Sequence, residues 1–129
     1  MPAHSPEEVH ELFTTLFSAG DLDALLSLYE PGATMLPNPG PAVSGHDGIR
    51  AVLLAFLALK PKFEMHLKKV VKTDDLALLF SAWKLQGSDP NGGGAIEMAG
   101  QTSDVVRRQA DGSWLFVIDI PFGAEAANA

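Results

Sequence analysis

The fold is decided by residues 19–56, which read AGDLDALLSLYEPGATMLPNPGPAVSGHDGIRAVLLAF. Gly20 predicts the end of a first helix in a left-handed conformation, and Asp21 is a good cap for a second, shorter helix that extends to Tyr29. Pro31-Gly32 predicts the stop of that helix. A short extended run and a proline-rich loop follow, and a third helix begins near Gly45.

The flanking sequence completes the pattern. Before this stretch, Ser5 and Pro6 predict a helix start, and apolar residues then recur at helical spacing from Val9 to Phe17. After Pro61 the period changes to that of strands. Four strands are predicted, joined by tight turns and one glycine-rich loop over 87–94: Lys62–Lys72, Leu76–Gln86, Ala95–Gln109 and Ser113–Ile120.

Three helices followed by a four-stranded meander predict an α+β fold, with helices packed on one face of an antiparallel sheet. The 129 residues fit a single domain, with a core over about 5–122. The tail from Phe122 has no clear pattern.

The composition excludes several classes of function. The net charge is −7, and this acidic balance makes nucleic acid a poor partner. There are no cysteines, no signal-peptide pattern, and no apolar run long enough to span a membrane. A cytoplasmic protein without a membrane partner is therefore expected.

Residues 19–56 also resemble the N-terminal half of ketosteroid isomerases and SnoaL-like polyketide cyclases. The resemblance rests on the AGDLDAL helix junction, the short AT strand, the proline-rich loop and the G-x-x-x-I-R helix start. It continues through a strand with an aspartate, a D-G turn and a strand beginning at Trp114. It implies a cone-shaped nuclear transport factor 2-like (cystatin-like) fold, with a cavity at one end and a homodimer formed through the outer face of the sheet.

The resemblance can be followed residue by residue. Ketosteroid isomerases use a carboxylate base, together with a tyrosine and a protonated aspartic acid as an oxyanion hole. By the resemblance, the tyrosine falls at Phe13, the base at Pro37 and the acid at Asp104. Only the acid is retained, so steroid isomerisation by that route is not expected.

Asp104 and Asp119 are the main catalytic candidates. Asp104 shares a predicted strand face with mostly apolar residues, where burial would raise its pKa and allow it to donate a proton or a hydrogen bond. The alternative is a structural aspartate bonded to a neighbouring residue, or to Arg107 or Arg108 around a bulge. Asp119 lies between isoleucines and is either a second acid in the same cavity or a strand-end carboxylate facing water.

Tyr29 and Asn38 are the other polar candidates. Tyr29 is the only tyrosine and the best remaining oxyanion donor, although its hydroxyl can instead bond a backbone carbonyl. Asn38 can bind a ligand carbonyl or position a water at the cavity mouth. It is equally consistent with ordinary turn chemistry before a proline.

The apolar side chains predicted to line a pocket are bulky and mostly aromatic, and each of them is alternatively plain core. They are Phe13, Phe17, Met35, Phe56, Met65, Trp83, Phe116 and Phe122. The four histidines do not have metal-ligand spacing, His66 is expected to face outward, and no phosphate loop or serine-hydrolase elbow is present. No metal and no cofactor are therefore predicted.

Three hypotheses about function remain open at this point. The first is acid/base chemistry on a small apolar carbonyl compound, of the isomerase, cyclase, dehydratase or hydrolase type, with Asp104 as the central group. The second is a non-catalytic protein that binds a small hydrophobic ligand. The third is a dimeric association module, which predicts a cavity filled by side chains.

Overall fold

The computed structural model describes residues 2–38 and 40–128. Three α-helices and six strands occur in this part of the chain, followed by a 3₁₀-helix. In chain order they are α1 (Pro6–Ala19), α2 (Leu22–Leu26), β1 (Tyr29–Met35), β2 (Val43–Ser44), α3 (Gly45–Leu57), β3 (Lys62–Thr73), β4 (Leu76–Ser88), β5 (Ala95–Arg108), β6 (Trp114–Ile120) and the 3₁₀-helix Gly123–Asn128.

The strands form one mixed sheet in the order β2-β1-β6-β5-β4-β3. Strands β3 to β6 are the predicted antiparallel meander, and their bounds agree with the sequence prediction to within two residues. The short extended run predicted before the proline-rich loop is the second half of β1, whereas the first half of β1 and all of β2 were not predicted as strands. Strand β1 pairs parallel to β6 and β2 pairs with β1, and both pairings extend the sheet beyond its meander.

The start of β1 corrects the sequence prediction for Tyr29. Helix α2 ends at Leu26, and Tyr29 is the first residue of β1 rather than the last of the helix. Pro31 and Gly32 lie inside this strand. They fall where the pairing with β6 is interrupted, between Tyr29 and Thr34, so proline costs no sheet hydrogen bond there.

The helix ends follow local chemistry only in part. Gly20 is left-handed as predicted, with φ 71°, and Asp21 accepts a hydrogen bond from the Ala24 amide at 3.1 Å. Ser5, in contrast, occupies the N-cap position of α1 without a side-chain hydrogen bond, so α1 starts where predicted but its first amides are not capped by that side chain.

The core lies between the helices and the inner face of the sheet. Helix α1 contacts β3, β4, β5 and β6, whereas α3 packs on β1. Burial alternates along β4, where Leu79, Ser81, Trp83 and Leu85 point inward. On β5 the inward residues include Thr102 and Asp104, so polar groups enter the core from the middle of the sheet.

Candidate functional site

A cavity of about 60 Å³ lies between α1, α3 and the inner face of the sheet, and it is partly open to solvent. That volume exceeds the roughly 10–15 Å³ that one water molecule requires. The wall is mainly apolar, with polar groups at one side. The lining residues are His10, Phe13, Phe17, Met35, Leu53, Phe56, Phe63, Met65, Trp83, Leu85, Thr102, Asp104, Phe116, Asp119 and Pro121.

Asp104 is buried at the polar side of this cavity, with only 2% of its surface exposed. Its Oδ1 accepts hydrogen bonds from the Thr102 hydroxyl at 2.8 Å and the Ile120 amide at 3.0 Å. Its Oδ2 lies 2.6 Å from Nε2 of His10. A carboxylate surrounded by donors in this way can keep a negative charge despite its burial.

Asp119 lies directly opposite Asp104 on the neighbouring strand β6, and it is also buried and lines the cavity. Its Oδ2 accepts a hydrogen bond of 2.5 Å from the Tyr29 hydroxyl. The Tyr29 ring is stacked on Phe116 at 4.7 Å between centroids and is itself fully buried. Tyr29 therefore supports Asp119 from behind and does not line the cavity.

His10 is the site residue that the sequence reasoning did not single out. It lies on α1 and lines the cavity, with Nε2 facing Asp104 and Nδ1 2.7 Å from the Ser81 hydroxyl. With Nε2 donating to Asp104, Nδ1 accepts from Ser81. The available signal was spacing, because His10, Phe13 and Phe17 occur at i, i+3 and i+7 and share one helix face.

Burial sets the protonation of these groups. It raises the pKa of Asp119 well above its usual range, and the neighbouring Asp104 charge raises it further. Burial also raises the pKa of Asp104, but the neighbouring Asp119 and hydrogen bonds from Thr102 and the Ile120 amide act against that rise. The pKa of Asp119 is therefore raised more than that of Asp104, and Asp119 is the member of the pair that binds a proton more tightly.

His10 is neutral in this arrangement. Its contact with Asp104 is short enough for an ion pair, yet burial lowers the pKa of His10 to about 4, with the Asp119 charge only partly opposing this. The loss of solvation outweighs the attraction because only 4% of the His10 surface is exposed to solvent. A neutral Nε2–H that donates to a charged Asp104 satisfies both groups.

Aromatic side chains form most of the remaining wall. Phe63 packs on Phe17 with 4.7 Å between ring centroids. The Trp83 indole N–H donates to the Pro121 carbonyl at 2.7 Å. The indole ring packs closely against Gly100, which lies opposite Trp83 on the neighbouring strand. Phe122 contacts the far side of Trp83 edge-on and is not itself a lining residue.

The structure brings together most of the side chains that the sequence singled out. Asp104 and Asp119 lie side by side at the cavity, and seven of the eight predicted apolar residues line it. Three predicted residues do not. Tyr29 lies behind Asp119, Phe122 lies behind Trp83, and Asn38 is half-buried in its loop away from the lining.

Several alternative readings of these residues are wrong. Arg107 pairs with Glu30 at 2.9 Å and Arg108 pairs with Asp75, so neither arginine holds Asp104. The other half of that alternative is correct, because Asp104 bonds its neighbour Thr102. The Tyr29 hydroxyl bonds a carboxyl group rather than a backbone carbonyl. Asp119 is buried rather than facing water.

The other histidines lie apart from the cavity. His66 is exposed, as expected from its alternation with Met65, and His46 bonds the Tyr29 carbonyl oxygen at 2.9 Å. Over residues 2–38 and 40–128, His, Asp and Glu side chains form no group of three or more suited to a metal ion. The helices within those ranges are all too short or too polar to cross a membrane.

Comparison with protein families and solved structures agrees with this fold. A family model described as a SnoaL-like domain matches residues 9–117. A ketosteroid isomerase-like protein from Erwinia carotovora atroseptica superposes with a TM-score of 0.80 at 24% identity, covering 88% of this chain and 89% of that one. A search of curated proteins found no match.

Two further structures show the range of proteins that share the architecture. A provisionally assigned dehydratase of the NTF2-like family from Streptomyces avermitilis has a TM-score of 0.73 at 18% identity, with 88% and 90% of the two chains covered. A provisionally assigned calcium/calmodulin-dependent protein kinase type II association domain from Thiobacillus denitrificans has a TM-score of 0.72 at 17% identity, with 94% and 96% covered. The nuclear transport factor 2-like, cystatin-like fold predicted from the sequence is confirmed.

Proposed function

The chain belongs to the SnoaL-like domain family, and on that premise we propose that it catalyses proton transfer in a small, mostly apolar carbonyl compound. The reaction classes that fit are isomerisation, cyclisation and dehydration, since each moves a proton near a carbonyl group. One observation carries the proposal: two aspartates stand opposite each other on neighbouring strands, both facing one apolar cavity.

The two aspartates have different roles in this proposal. Asp104, as the carboxylate, accepts a proton from the carbon next to the carbonyl group. Asp119, which holds a proton, donates a hydrogen bond or the proton itself to the carbonyl oxygen, where negative charge develops. Two carboxyl groups whose surroundings separate their pKa values are the usual basis for such a division of labour.

The remaining polar residues position this pair. Tyr29 holds Asp119 through its 2.5 Å bond, and His10 holds Asp104 at 2.6 Å. The apolar wall excludes water, which strengthens these interactions. Asn38 has no part in this mechanism because it is not a lining residue.

The experiment is deuterium exchange at the carbons next to the carbonyl group of small ketones in D₂O, followed by NMR. We expect the wild-type protein to accelerate exchange above the buffer rate for at least one ketone of the panel. Asp104→Asn and Asp119→Asn should each lower the rate about 100-fold or more, the range typical of a lost acid or base.

The control is Leu54→Asn, which changes an exposed residue of α3 outside the cavity. It should exchange ketones at the wild-type rate. Wild-type rates in a folded Asp104→Asn protein would contradict the proposal, as would exchange that depends on neither aspartate.

A second candidate function is non-catalytic binding of a small hydrophobic ligand. The observation that favours it is Phe13, which lines the cavity where the resemblance places a hydroxyl-bearing tyrosine. Native mass spectrometry of the protein as purified distinguishes the two functions, because a binder retains an unchanged ligand. The association-module hypothesis loses support, since it predicted a filled cavity next to Asp104.

We also propose that two copies associate through the outer face of the sheet. Val71, Leu78, Val105 and Ile118 lie opposite one another on four adjacent strands and form an outward apolar row. Val71 is 50% exposed and Ile118 is 38% exposed. A row of this kind on a sheet face is typical of an interaction surface, and a second copy would cover it.

Sedimentation or light scattering tests the association. Ile118→Lys should convert a dimer into a monomer, because it places a charge within the apolar row, at its β6 end. Leu54→Lys adds the same charge at an exposed apolar residue of α3 and should leave the dimer intact. A monomeric wild-type protein at high micromolar concentration would contradict the proposal.

A further inference from the structure

The charge of the cavity has a consequence for the ligand. Among the lining residues in the described part of the chain, the titratable groups are His10, Asp104 and Asp119, and none is a lysine or arginine. The nearest arginines along β5 are engaged elsewhere, Arg107 with Glu30 and Arg108 with Asp75. No positive side chain of this wall therefore offsets a negative charge inside it.

Hydrogen-bond geometry fixes where that charge resides. Oδ1 of Asp104 receives two donors, the Thr102 hydroxyl and the Ile120 amide, and a backbone amide can only donate. Oδ2 faces Nε2 of His10. A proton on Oδ1 would point at two other hydrogens, so Asp104 is a carboxylate when Nε2 of His10 carries the imidazole hydrogen and donates it to Oδ2.

We infer that Asp104 is a charge filter, which makes the cavity accept uncharged oxygen-bearing molecules and exclude carboxylates of the same size. This inference rests on the proposed function for the ligand being a carbonyl compound. Its physical basis is that two negative charges within an apolar enclosure repel strongly, because little water screens them. A ketone of equal size makes the same apolar contacts without that repulsion.

The test uses three probes with equal numbers of non-hydrogen atoms: 2-pentanone, butyrate and n-pentylammonium. Binding is followed by NMR at the indole N–H of Trp83, which lines the cavity, with the Trp114 indole as an internal reference outside it. We expect 2-pentanone to bind most tightly, n-pentylammonium next, and butyrate at least about 100-fold more weakly than the ketone.

The n-pentylammonium probe distinguishes repulsion by Asp104 from the desolvation penalty that any buried charge would pay. If the cavity only disfavours charge of either sign, n-pentylammonium and butyrate bind equally weakly, and the inference is overturned. Asp104→Asn should improve butyrate relative to n-pentylammonium by about tenfold or more. Unchanged relative affinities in that variant would overturn the assignment to Asp104.

A second variant keeps the test valid if Asp104→Asn does not fold. Met65 lines the cavity and is partly exposed, so Met65→Lys adds a positive charge without disturbing the buried aspartates. Butyrate should then bind at least about tenfold more tightly than to Met65→Gln, the uncharged control. Equal butyrate affinity in the two variants overturns the inference, and so does a wild-type protein whose Trp83 signal no probe shifts.

This outcome is distinguishable from failure of the proposed function. Binding is measured at equilibrium and does not require exchange of any proton. A protein that selects the ketone but does not accelerate deuterium exchange keeps the charge filter and loses the catalytic role. A protein that accelerates exchange but binds butyrate as well as the ketone keeps catalysis and loses the filter.

Discussion

Strand β5 carries charged side chains in two contrasting regions. At Asp104 the charge is buried among neutral donors and has no cation as its partner. Three and four residues further along, Arg107 and Arg108 form ion pairs at the surface with Glu30 and Asp75. The first region resembles an active site, and burying its charge costs desolvation free energy. The second resembles ordinary surface charge, which stays hydrated and costs little.

The largest loss of stability should come from removing the Asp104 carboxylate, which is the centre of the buried region. Asp104→Ala leaves the His10 N–H, the Thr102 hydroxyl and the Ile120 amide without this acceptor, and we expect the free energy of unfolding to fall by about 3–5 kcal/mol. Urea denaturation measures it. Asp104→Asn, which keeps one acceptor oxygen, should lose less. A loss below about 1 kcal/mol would mean that the two regions do not differ as described.

The next largest effect is a pH dependence of the free energy of unfolding that arises from His10. Because the pKa of buried His10 is lowered from 6.5 to about 4, the folded state binds fewer protons than the unfolded state between these values. Its contribution to stability is present above pH 6.5 and is lost as the pH falls towards 4. The change is roughly 3 kcal/mol at most.

His10→Gln provides the matched comparison, since its amide can still donate to Asp104 but does not titrate. Unfolding free energies of both proteins should be measured from pH 7 to pH 4. The wild-type value should fall more steeply than that of His10→Gln. Parallel curves would show that His10 keeps an ordinary pKa and is not enclosed.

A smaller loss of stability is expected at Tyr29, which lies behind Asp119. Tyr29→Phe keeps the ring stacked on Phe116 but removes the hydroxyl that donates to Asp119, and it should cost about 1–3 kcal/mol. The loss should shrink in an Asp119→Asn background, as a double-mutant cycle can show. Additive losses would mean that the two side chains are not coupled.

The smallest effect should come from the surface region. Arg107→Gln removes a partly exposed ion pair with Glu30, which water reaches from the arginine side, so the free energy of unfolding should change less than in any of the buried variants. The same urea denaturation measures it, and addition of salt should reduce the difference further. A loss as large as that of Tyr29→Phe would remove the contrast between the regions.

The two regions also differ in how far the sequence predicts them. Strands β3 to β6 have a clear period of two and a D-G turn, and these local signals fixed the meander and the inward direction of Asp104. The first half of β1 was missed because its pairing with β6 joins residues that lie far apart in the chain. Pro31-Gly32 is locally a stop signal, and only the interrupted pairing makes it acceptable within a strand.

The site was predictable in its acids but not in their partners. Asp104 and Asp119 stand out because each is an acidic residue among apolar neighbours. His10 and Ser81 lie 71 residues apart in the chain and meet only when α1 packs on β4. Such a contact has no local signature, although the helical spacing of His10 with Phe13 and Phe17 marks the face on which it lies.

The close contact between Trp83 and Gly100 has a practical consequence. A Cβ atom at position 100 would lie 2.9 Å from Cζ2 of the indole, so any other residue there must displace the ring. Substituting that glycine should therefore change the size of the hollow without altering any of its acids. Position 100 is a natural place to begin if the protein is to be redesigned for smaller or larger molecules.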